Sequence, residues 1–182
     1  MATKSLQEQC NESVSLLAAR QINFLALDFD LTVIDIHTGG AWQGTAEELI
    51  EHVRPLFKGL IVAACESGMS VAIVTFSPQV PMIRAVLQLL VPTYSAQIPI
   101  RGADRTWCYE GSGSQEGKQA HMASAVEEIL AMKETVITRR STLLIDDDAN
   151  NIKVALSEGV RAIWLNPRDE GRLLGNIKEL LE

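Results

Sequence analysis

Short apolar runs alternate with stretches of helical periodicity along this chain. Four apolar runs predict buried strands, at residues 22–27, 71–75, 142–146 and 161–165. Residues 96–100 predict a weaker fifth strand, because they contain Pro99. Continuous apolar runs are typical of parallel strands that helices cover on both faces. The pattern therefore predicts an α/β fold with a three-layer, doubly wound, Rossmann-like and mostly parallel sheet.

Between the strands, apolar residues recur every three or four positions, which predicts helices with one buried stripe each. The stripes cover residues 6–17, 80–90, 122–130 and 173–181. Ser77 followed by Pro78 predicts a helix N-terminus. Pro55 predicts that a helix between residues 45 and 67 breaks or restarts. Residues 110–117, EGSGSQEG, predict a flexible loop directly before Lys118.

Length and charge narrow the functional classes. The 182 residues suit one domain with a sizeable core, and we expect an N-terminal helical extension, 1–20, followed by a single domain, 21–182. A net charge of -7 disfavours an extended nucleic-acid-binding surface. Neither a membrane span nor an apolar leader is evident, and the three cysteines are widely spaced. These features predict a cytoplasmic protein with reduced thiols and no membrane partner; an oligomer stays open.

Polar residues collect where the predicted strands end. They are Asp28, Asp30 and Thr32 after the first strand, Thr75 and Ser77 after the second, and Asp146, Asp147 and Asp148 after the fourth. Carboxyl ends of parallel strands meet at one edge of a sheet, where ligands bind. Crowded carboxylates repel one another, so a cation should lie among them, and oxygen ligands suit Mg²⁺. With Lys118 as a second positive charge, such a site could accept a phosphate dianion.

Two aspartates two residues apart could divide the chemistry between them. If Asp28 faces a bound phosphate ester, its carboxylate can attack phosphorus. A turn after Asp28 would displace Asp30, which could then protonate the leaving oxygen and deprotonate water. The two carboxyl groups need different environments for these roles.

Four segments, in order, resemble the motifs of haloacid dehalogenase (HAD) superfamily phosphatases: DFDLT at 28–32, VAIVTFS at 71–77, Lys118, and LLIDDDANN at 143–151. The resemblance spans about residues 22–166 and implies a HAD-like fold. It implies that Asp28 is the nucleophile and Asp30 the general acid/base. It also implies substrate binding by four residues, namely Thr75, Phe76, Ser77 and Lys118.

The same resemblance implies a Mg²⁺ site. Its ligands would be Asp28, the backbone carbonyl of Asp30, and an acid of the last motif. The spacing to Asn151 favours Asp147 as the inner ligand, with Asp146 close behind. Asp30 itself favours phosphate-ester hydrolysis over dehalogenation, because dehalogenases of this superfamily generally lack that aspartate.

Little chain is left for a cap domain. The 45 residues from Asp30 to Thr75 and the 43 from there to Lys118 must already hold sheet-packing helices. The chain thus resembles the capless, magnesium-dependent phosphatase family, which acts on phosphotyrosine-type and small phosphorylated substrates. Two segments have no assigned role, the N-terminal helix and residues 101–117, and either could cover the site. Within the second segment, Trp107 and Tyr109 could contact an aromatic substrate.

Two other classes of protein share parts of this pattern. A phosphoryl-accepting receiver domain also gathers acids, a threonine and a lysine, but its lysine comes after all the acids, whereas Lys118 precedes Asp146. A non-catalytic domain that binds a phosphorylated partner stays open. The three histidines are spaced too irregularly for a zinc site, although His121, one turn after Lys118, could touch the substrate.

Overall fold

The sheet has five parallel strands. The structure is a computed structural model that describes residues 4–111 and 116–180. The strands are β1 Phe24–Leu27, β2 Ser70–Val74, β3 Ile100–Arg101, β4 Thr142–Asp146 and β5 Arg161–Trp164, in the spatial order β3-β2-β1-β4-β5. The central β1 pairs with β2 and β4 in a register that sets Leu27 beside Ile73 and Ile145. Asp28 therefore leaves the sheet at its centre.

Helices cover both faces of the sheet. They are α1 Leu6–Ala19, α2 Ala46–Leu49, α3 Pro55–Glu66, α4 Val80–Leu90, α5 Gln119–Met132, α6 Ala149–Ser157 and α7 Leu173–Glu179. Alternate residues of β1 enter different cores: Leu25 and Leu27 pack with α1, α3, α4 and α7, while Phe24 and Ala26 pack with α5 and α6. This arrangement confirms the three-layer, doubly wound prediction.

Most predicted elements are present, and Pro55 does restart a helix, as the first residue of α3. The third strand is shorter than predicted, because residues 95–97 form a one-turn 3₁₀ helix and only Ile100–Arg101 pair with β2. The predicted helix start at Ser77 is wrong. Residue Gln79 caps α4, and the segment before it runs through the site described below.

The N-terminal helix packs on the main core. A capping box of Ser5 and Glu8 begins α1, and its buried residues Cys10, Val14 and Leu17 join the core shared with α3 and α7. The predicted boundary at residue 20 stays a prediction. Residues 112–115 of the predicted loop, and Leu181 of the last stripe, lie outside the described residues.

Neither long connection of the described chain forms a separate cap. The segment between β1 and β2 holds α2 and α3, and the segment between β2 and α5 holds α4 and β3. In the described ranges, no helix combines the length and the apolar character needed to span a bilayer. The carboxyl ends of β1, β2 and β4 thus open into a cleft of about 360 Å³.

Candidate active site

The floor of the cleft is a buried ion pair. Asp28 follows β1, and Lys118 is the N-cap residue of α5, only 1% exposed. Lys118 Nζ donates to Asp28 Oδ1 at 2.8 Å and to the Val74 carbonyl at 3.0 Å. The same ammonium group lies 3.9 Å from Asp146 Oδ2. The lysine therefore joins the ends of β1, β2 and β4.

Two acids from the end of β4 complete the floor. Asp28, Asp146 and Asp147 each offer a carboxylate oxygen, and these three oxygens lie within 4.8 Å of one another. Asp146 accepts hydrogen bonds from Asp148 N at 2.8 Å and from Asn151 Nδ2 at 2.9 Å. These donors fix the orientation of its carboxylate.

The two acids that follow Asp146 in sequence, Asp147 and Asp148, have different hydrogen-bond partners from it. Asp147 Oδ1 accepts from the Thr32 hydroxyl at 3.2 Å, and Thr32 Oγ1 is equally far from Asp147 N. Asp148 is exposed and caps α6 by accepting from the backbone N–H groups of Asn150 and Asn151. The structure thus brings both Asp146 and Asp147 to the cluster, and which of them is the inner ligand stays a prediction.

Burial makes this cluster costly to ionise. It raises the pKa of Asp28 to about 7, against the opposing charge of Lys118 and with a further rise from Asp146. Burial also raises the pKa values of Asp146 and Asp147. One lysine cannot neutralise three carboxylates, and a divalent cation with a preference for oxygen ligands can. The donor set therefore fits Mg²⁺.

Asp30 lies in a tight turn, so the chain no longer continues in the direction of β1 after Asp28. The turn Phe29–Val33 is closed by a hydrogen bond from Ile34 N to the Phe29 carbonyl at 3.1 Å. Leu31 adopts a left-handed φ of 59°, which is strained for a non-glycine residue. Asp30 and Asp28 both line the cleft, as expected for two carboxylates with separate roles.

The segment after β2 forms one wall. Thr75 is buried, and its Oγ1 accepts from Ser77 N at 3.1 Å. The Ser77 carbonyl accepts from Ala103 N at 3.1 Å. This approach requires Gly102, because a Cβ there would lie 2.5 Å from the Ser77 carbonyl oxygen. Thr75, Phe76, Ser77 and Lys118 all line the cleft, so the predicted substrate-binding residues converge.

Aromatic rings stand above the lysine. Phe76 is 52% exposed, and Lys118 Nζ lies 4.0 Å from the centroid of its ring. The His121 ring packs edge-on between Phe76 and Trp107, with centroid distances of 5.2 and 4.7 Å. Burial and the nearby lysine lower the pKa of His121 to about 4, so this ring is neutral at pH 7. Trp107 in turn donates Nε1–H to the Gly102 carbonyl.

The chain is similar to known proteins in structure and not in sequence family. No protein-family model and no curated protein matches the chain. An uncharacterized protein from Corynebacterium glutamicum is 19% identical over 88% of this chain and 95% of its own, with a TM-score of 0.52. A HAD-superfamily hydrolase from Ehrlichia chaffeensis is 12% identical over 90% of this chain and 99% of its own, with a TM-score of 0.50.

A third similar structure is the N-terminal part of the protein BF1531 from Bacteroides fragilis, which contains a phosphatase domain complexed with Mg. It is 14% identical, with a TM-score of 0.57 over 93% of this chain, and this chain spans 42% of its length. The chain has the HAD fold. At these identities the likeness establishes the fold alone, and the predicted resemblance is confirmed at that level.

Several residues that support this site carried no clear signal in the sequence. Thr38 and Gln79 contact Asp30 or its partners from a loop and a helix cap, where apolar periodicity gives no guidance. The sequence alone does not distinguish whether Asn151 shapes the acidic loop or faces solvent. It is 3% exposed and bonded to Asp146, so it shapes the loop.

Proposed function

We propose that the chain is a Mg²⁺-dependent, capless HAD-type phosphomonoester hydrolase that acts through an aspartyl-phosphate on Asp28. The observation that carries this proposal is the convergence of Asp28, Asp146 and Asp147 within 4.8 Å, with Lys118 bonded to Asp28 at the floor of an open cleft. Carboxylates alone would repel a phosphate dianion. Their pairing with a buried lysine and a divalent ion supports phosphate binding instead.

The proposed metal ligands are the carboxylates of Asp28, Asp146 and Asp147 together with the backbone carbonyl of Asp30. When bound, Mg²⁺ would offset the negative charge of these carboxylates and of the substrate phosphate. Asn151 and Thr32 hold the carboxylates of Asp146 and Asp147 from outside the cluster. These contacts support a site that is shaped before the ion arrives.

In the first step, a carboxylate oxygen of Asp28 attacks phosphorus, and the bond from phosphorus to the ester oxygen breaks. Asp30 gives its proton to that leaving oxygen. Lys118, bonded to Asp28 Oδ1 at 2.8 Å, keeps the nucleophile in place. The products of this step are the free alcohol or phenol and an aspartyl-phosphate on Asp28.

In the second step, Asp30, now ionised, takes a proton from water. The water oxygen attacks phosphorus, and the bond from phosphorus to the Asp28 oxygen breaks. Inorganic phosphate leaves, Asp28 is again a carboxylate and Asp30 is again protonated, so the cycle is closed.

The phosphate oxygens would be held from the wall after β2. Because Thr75 Oγ1 already accepts from Ser77 N, its hydroxyl proton can donate to a bound phosphate. The Ser77 hydroxyl, the backbone N–H of Phe76 and the Lys118 ammonium group are the other proposed donors.

The proposed substrates are phosphotyrosine, in a peptide or protein, or a small phosphorylated metabolite. The exposed ring of Phe76 at the mouth of the cleft supports contact with an apolar or aromatic leaving group. We also propose a cytoplasmic location, which the three free cysteines Cys10, Cys65 and Cys108 support. Neither a nucleic-acid nor a membrane partner is proposed, and an oligomer is compatible with these features.

The deciding experiment is steady-state release of phosphate from p-nitrophenyl phosphate, with Mg²⁺ and with EDTA. We expect repeated turnover that requires Mg²⁺. We expect Asp28→Asn to lower it by at least about a thousandfold, because the amide is not a nucleophile. A receiver domain would be labelled once without cycling, and a binding domain would release nothing. Turnover in H₂¹⁸O should place ¹⁸O in the released phosphate, because water attacks phosphorus in the second step. Finding ¹⁸O in the Asp28 carboxylate would instead show attack at its carboxyl carbon and would contradict this step.

A further inference from the structure

The Asp30 carboxylate is held by a loop that follows it in sequence. Thr38 donates to Asp30 Oδ2 twice, from its backbone N–H at 2.9 Å and from its hydroxyl at 2.8 Å. The hydroxyl is 3.1 Å from Asp30 Oδ1, a longer contact. One carboxylate oxygen is therefore occupied by the loop, while the other retains free acceptor capacity on a residue that lines the cleft.

A second chain of hydrogen bonds decides which way the Thr38 hydroxyl points. Trp42 N–H donates to Gln79 Oε1 at 2.9 Å, which fixes the orientation of that amide. Gln79 Nε2–H consequently donates to Thr38 Oγ1, and Gly40 N–H donates to the same oxygen at 3.3 Å. A hydroxyl has one proton and two acceptor sites, and both acceptor sites are taken. Its proton must therefore go to Asp30.

The backbone of this loop is fitted to the wall of the cleft. Gly39 and Gly40 have φ values of 66° and 76°. A Cβ on Gly40 would lie 2.9 Å from the Cδ of Pro78, so the loop approaches the segment before α4 closely. Asp30 is thus connected, through Thr38 and Gln79, to the wall that carries the proposed phosphate-binding residues.

We propose that Thr38 is the positioning residue for Asp30 and that Gln79 orients Thr38 for this role. The proposal rests on the proposed function, since it assumes that Asp30 transfers protons. With Oδ2 held by the loop, Oδ1 is the oxygen that gives the proton to the leaving group and takes it back from water. Without the Thr38 hydroxyl, the carboxyl group of Asp30 can rotate, and both proton transfers lose their alignment.

The principal test compares Thr38→Val, which keeps the shape but loses the hydroxyl, with Thr38→Ser, which keeps the hydroxyl. We expect Thr38→Val to lower kcat for glycerol 2-phosphate about 10- to 100-fold, with little change in KM or in Mg²⁺ affinity by calorimetry. Thr38→Ser should restore most of the rate. Thr138→Val, which removes an exposed hydroxyl cap at the opposite edge of the sheet, is the matched control.

The leaving group gives a readout that a purely structural role would not change. p-Nitrophenolate leaves as a stable anion and needs little protonation, whereas the glycerol alkoxide needs a proton as the bond breaks. The loss in kcat/KM on Thr38→Val should therefore be larger for glycerol 2-phosphate than for p-nitrophenyl phosphate. Equal losses for the two esters, an unimpaired Thr38→Val, or a Thr38→Ser as slow as Thr38→Val would each overturn the proposal.

Gln79→Glu tests whether Gln79 orients the Thr38 hydroxyl, without changing Thr38 itself. The new carboxylate still accepts from Trp42 N–H, but it offers Thr38 an acceptor in place of a donor, which draws the hydroxyl proton away from Asp30. We expect the same dependence on leaving group as for Thr38→Val. Gln43→Glu, an exposed residue of the same loop, makes the same change of charge and should behave as wild type. If Thr38→Val does not fold, the comparison of Gln79→Glu with Gln43→Glu decides whether the Thr38 hydroxyl positions Asp30.

Asp30→Asn distinguishes a failure of the proposed function from a failure of the positioning role of Thr38. If the wild type shows no turnover, or if Asp30→Asn retains full turnover, the proposed function fails and the role of Thr38 falls with it. If Asp30→Asn is slow while Thr38→Val and Gln79→Glu are as fast as wild type, the proposed function stands and the positioning role is wrong.

Discussion

The floor and the rim of the cleft are built differently. The floor is mostly buried: besides the half-buried Asp147, it consists of Asp28, Lys118 and Asp146, which are each at most 7% exposed and lie at the end of a strand or the start of a helix. The rim consists of loop residues such as His37, whose side chain is 66% exposed, and Phe76, which is 52% exposed. The sheet register fixes the floor, whereas contacts between loops fix the rim.

Under the proposed function, the floor carries out the reaction and the rim selects the substrate. Groups at the floor are desolvated and bonded to one another, so removing one changes the charge balance of the others. Groups at the rim are solvated, so changing one should affect only what it touches. The comparison predicts large, coupled effects from floor substitutions and small, separate effects from rim substitutions.

The largest effect should come from Lys118→Met, which removes the ammonium group and keeps most of the side-chain volume. Asp28 would lose its partner at 2.8 Å while still buried. We expect a loss of up to about 3 kcal/mol in the free energy of unfolding without Mg²⁺, together with loss of turnover. Urea unfolding and phosphate release measure the two effects.

The matched control is Lys133→Met, since Lys133 also donates to a backbone carbonyl, that of Gly68, but at an exposed position. This variant should unfold and turn over like the wild type. If Lys118→Met and Lys133→Met were equally harmless to stability, the floor would not be the coupled unit that the comparison requires.

The floor could largely be predicted from the sequence. Uninterrupted apolar runs specify parallel strands, and residues such as Asp28 and Asp146 that follow those runs must meet at one edge. The position of Lys118 before β4 was enough to expect it there, because a helix between two strands begins at the same edge. Sequence order and sheet geometry carry this information, without any knowledge of loop conformation.

The rim and the supports of Asp30 could not be predicted in this way. Thr38 reaches Asp30 only because two glycines and Pro78 shape the loop, and such contacts leave no periodic pattern. Ser77 followed by Pro78 carries a genuine helix-start signal, yet the carbonyl of Ser77 is bonded to Ala103 N and α4 begins later. Tertiary contacts override local preference at these positions.

His121 lies between floor and rim, and its titration should reveal how tightly the two are joined. Its pKa is lowered from 6.5 to about 4 in the folded protein. Between these values the unfolded chain binds more protons than the folded one, so stability from this residue falls as pH decreases from about 6.5 to about 4. His121→Phe keeps the ring packing and removes that dependence.

We expect His121→Phe to gain about 1–2 kcal/mol relative to wild type between pH 7 and pH 4, less than the full shift implies because the ring is partly solvated. Differences between variant and wild type cancel the titration of the floor carboxylates. Urea unfolding of the variant and the wild type at several pH values measures this gain. A difference that does not vary with pH would show that the ring is not desolvated between Phe76 and Trp107.

The smallest effect should come from Phe76→Ala at the rim. Its half-exposed ring contributes a cation–π contact with Lys118, so we expect a loss of at most about 1 kcal/mol in stability. For an aryl phosphate, KM should rise about fivefold while kcat stays close to wild type, because the proposed contact of the ring is with the leaving group and not with the reacting atoms. Leu156→Ala, at a residue with 54% exposure near the end of α6, is the control for loss of an exposed apolar side chain. If Phe76→Ala instead lowered kcat as far as Lys118→Met does, the ring would be part of the floor, since its contact with Lys118 would then be holding the partner of the proposed nucleophile Asp28 in place.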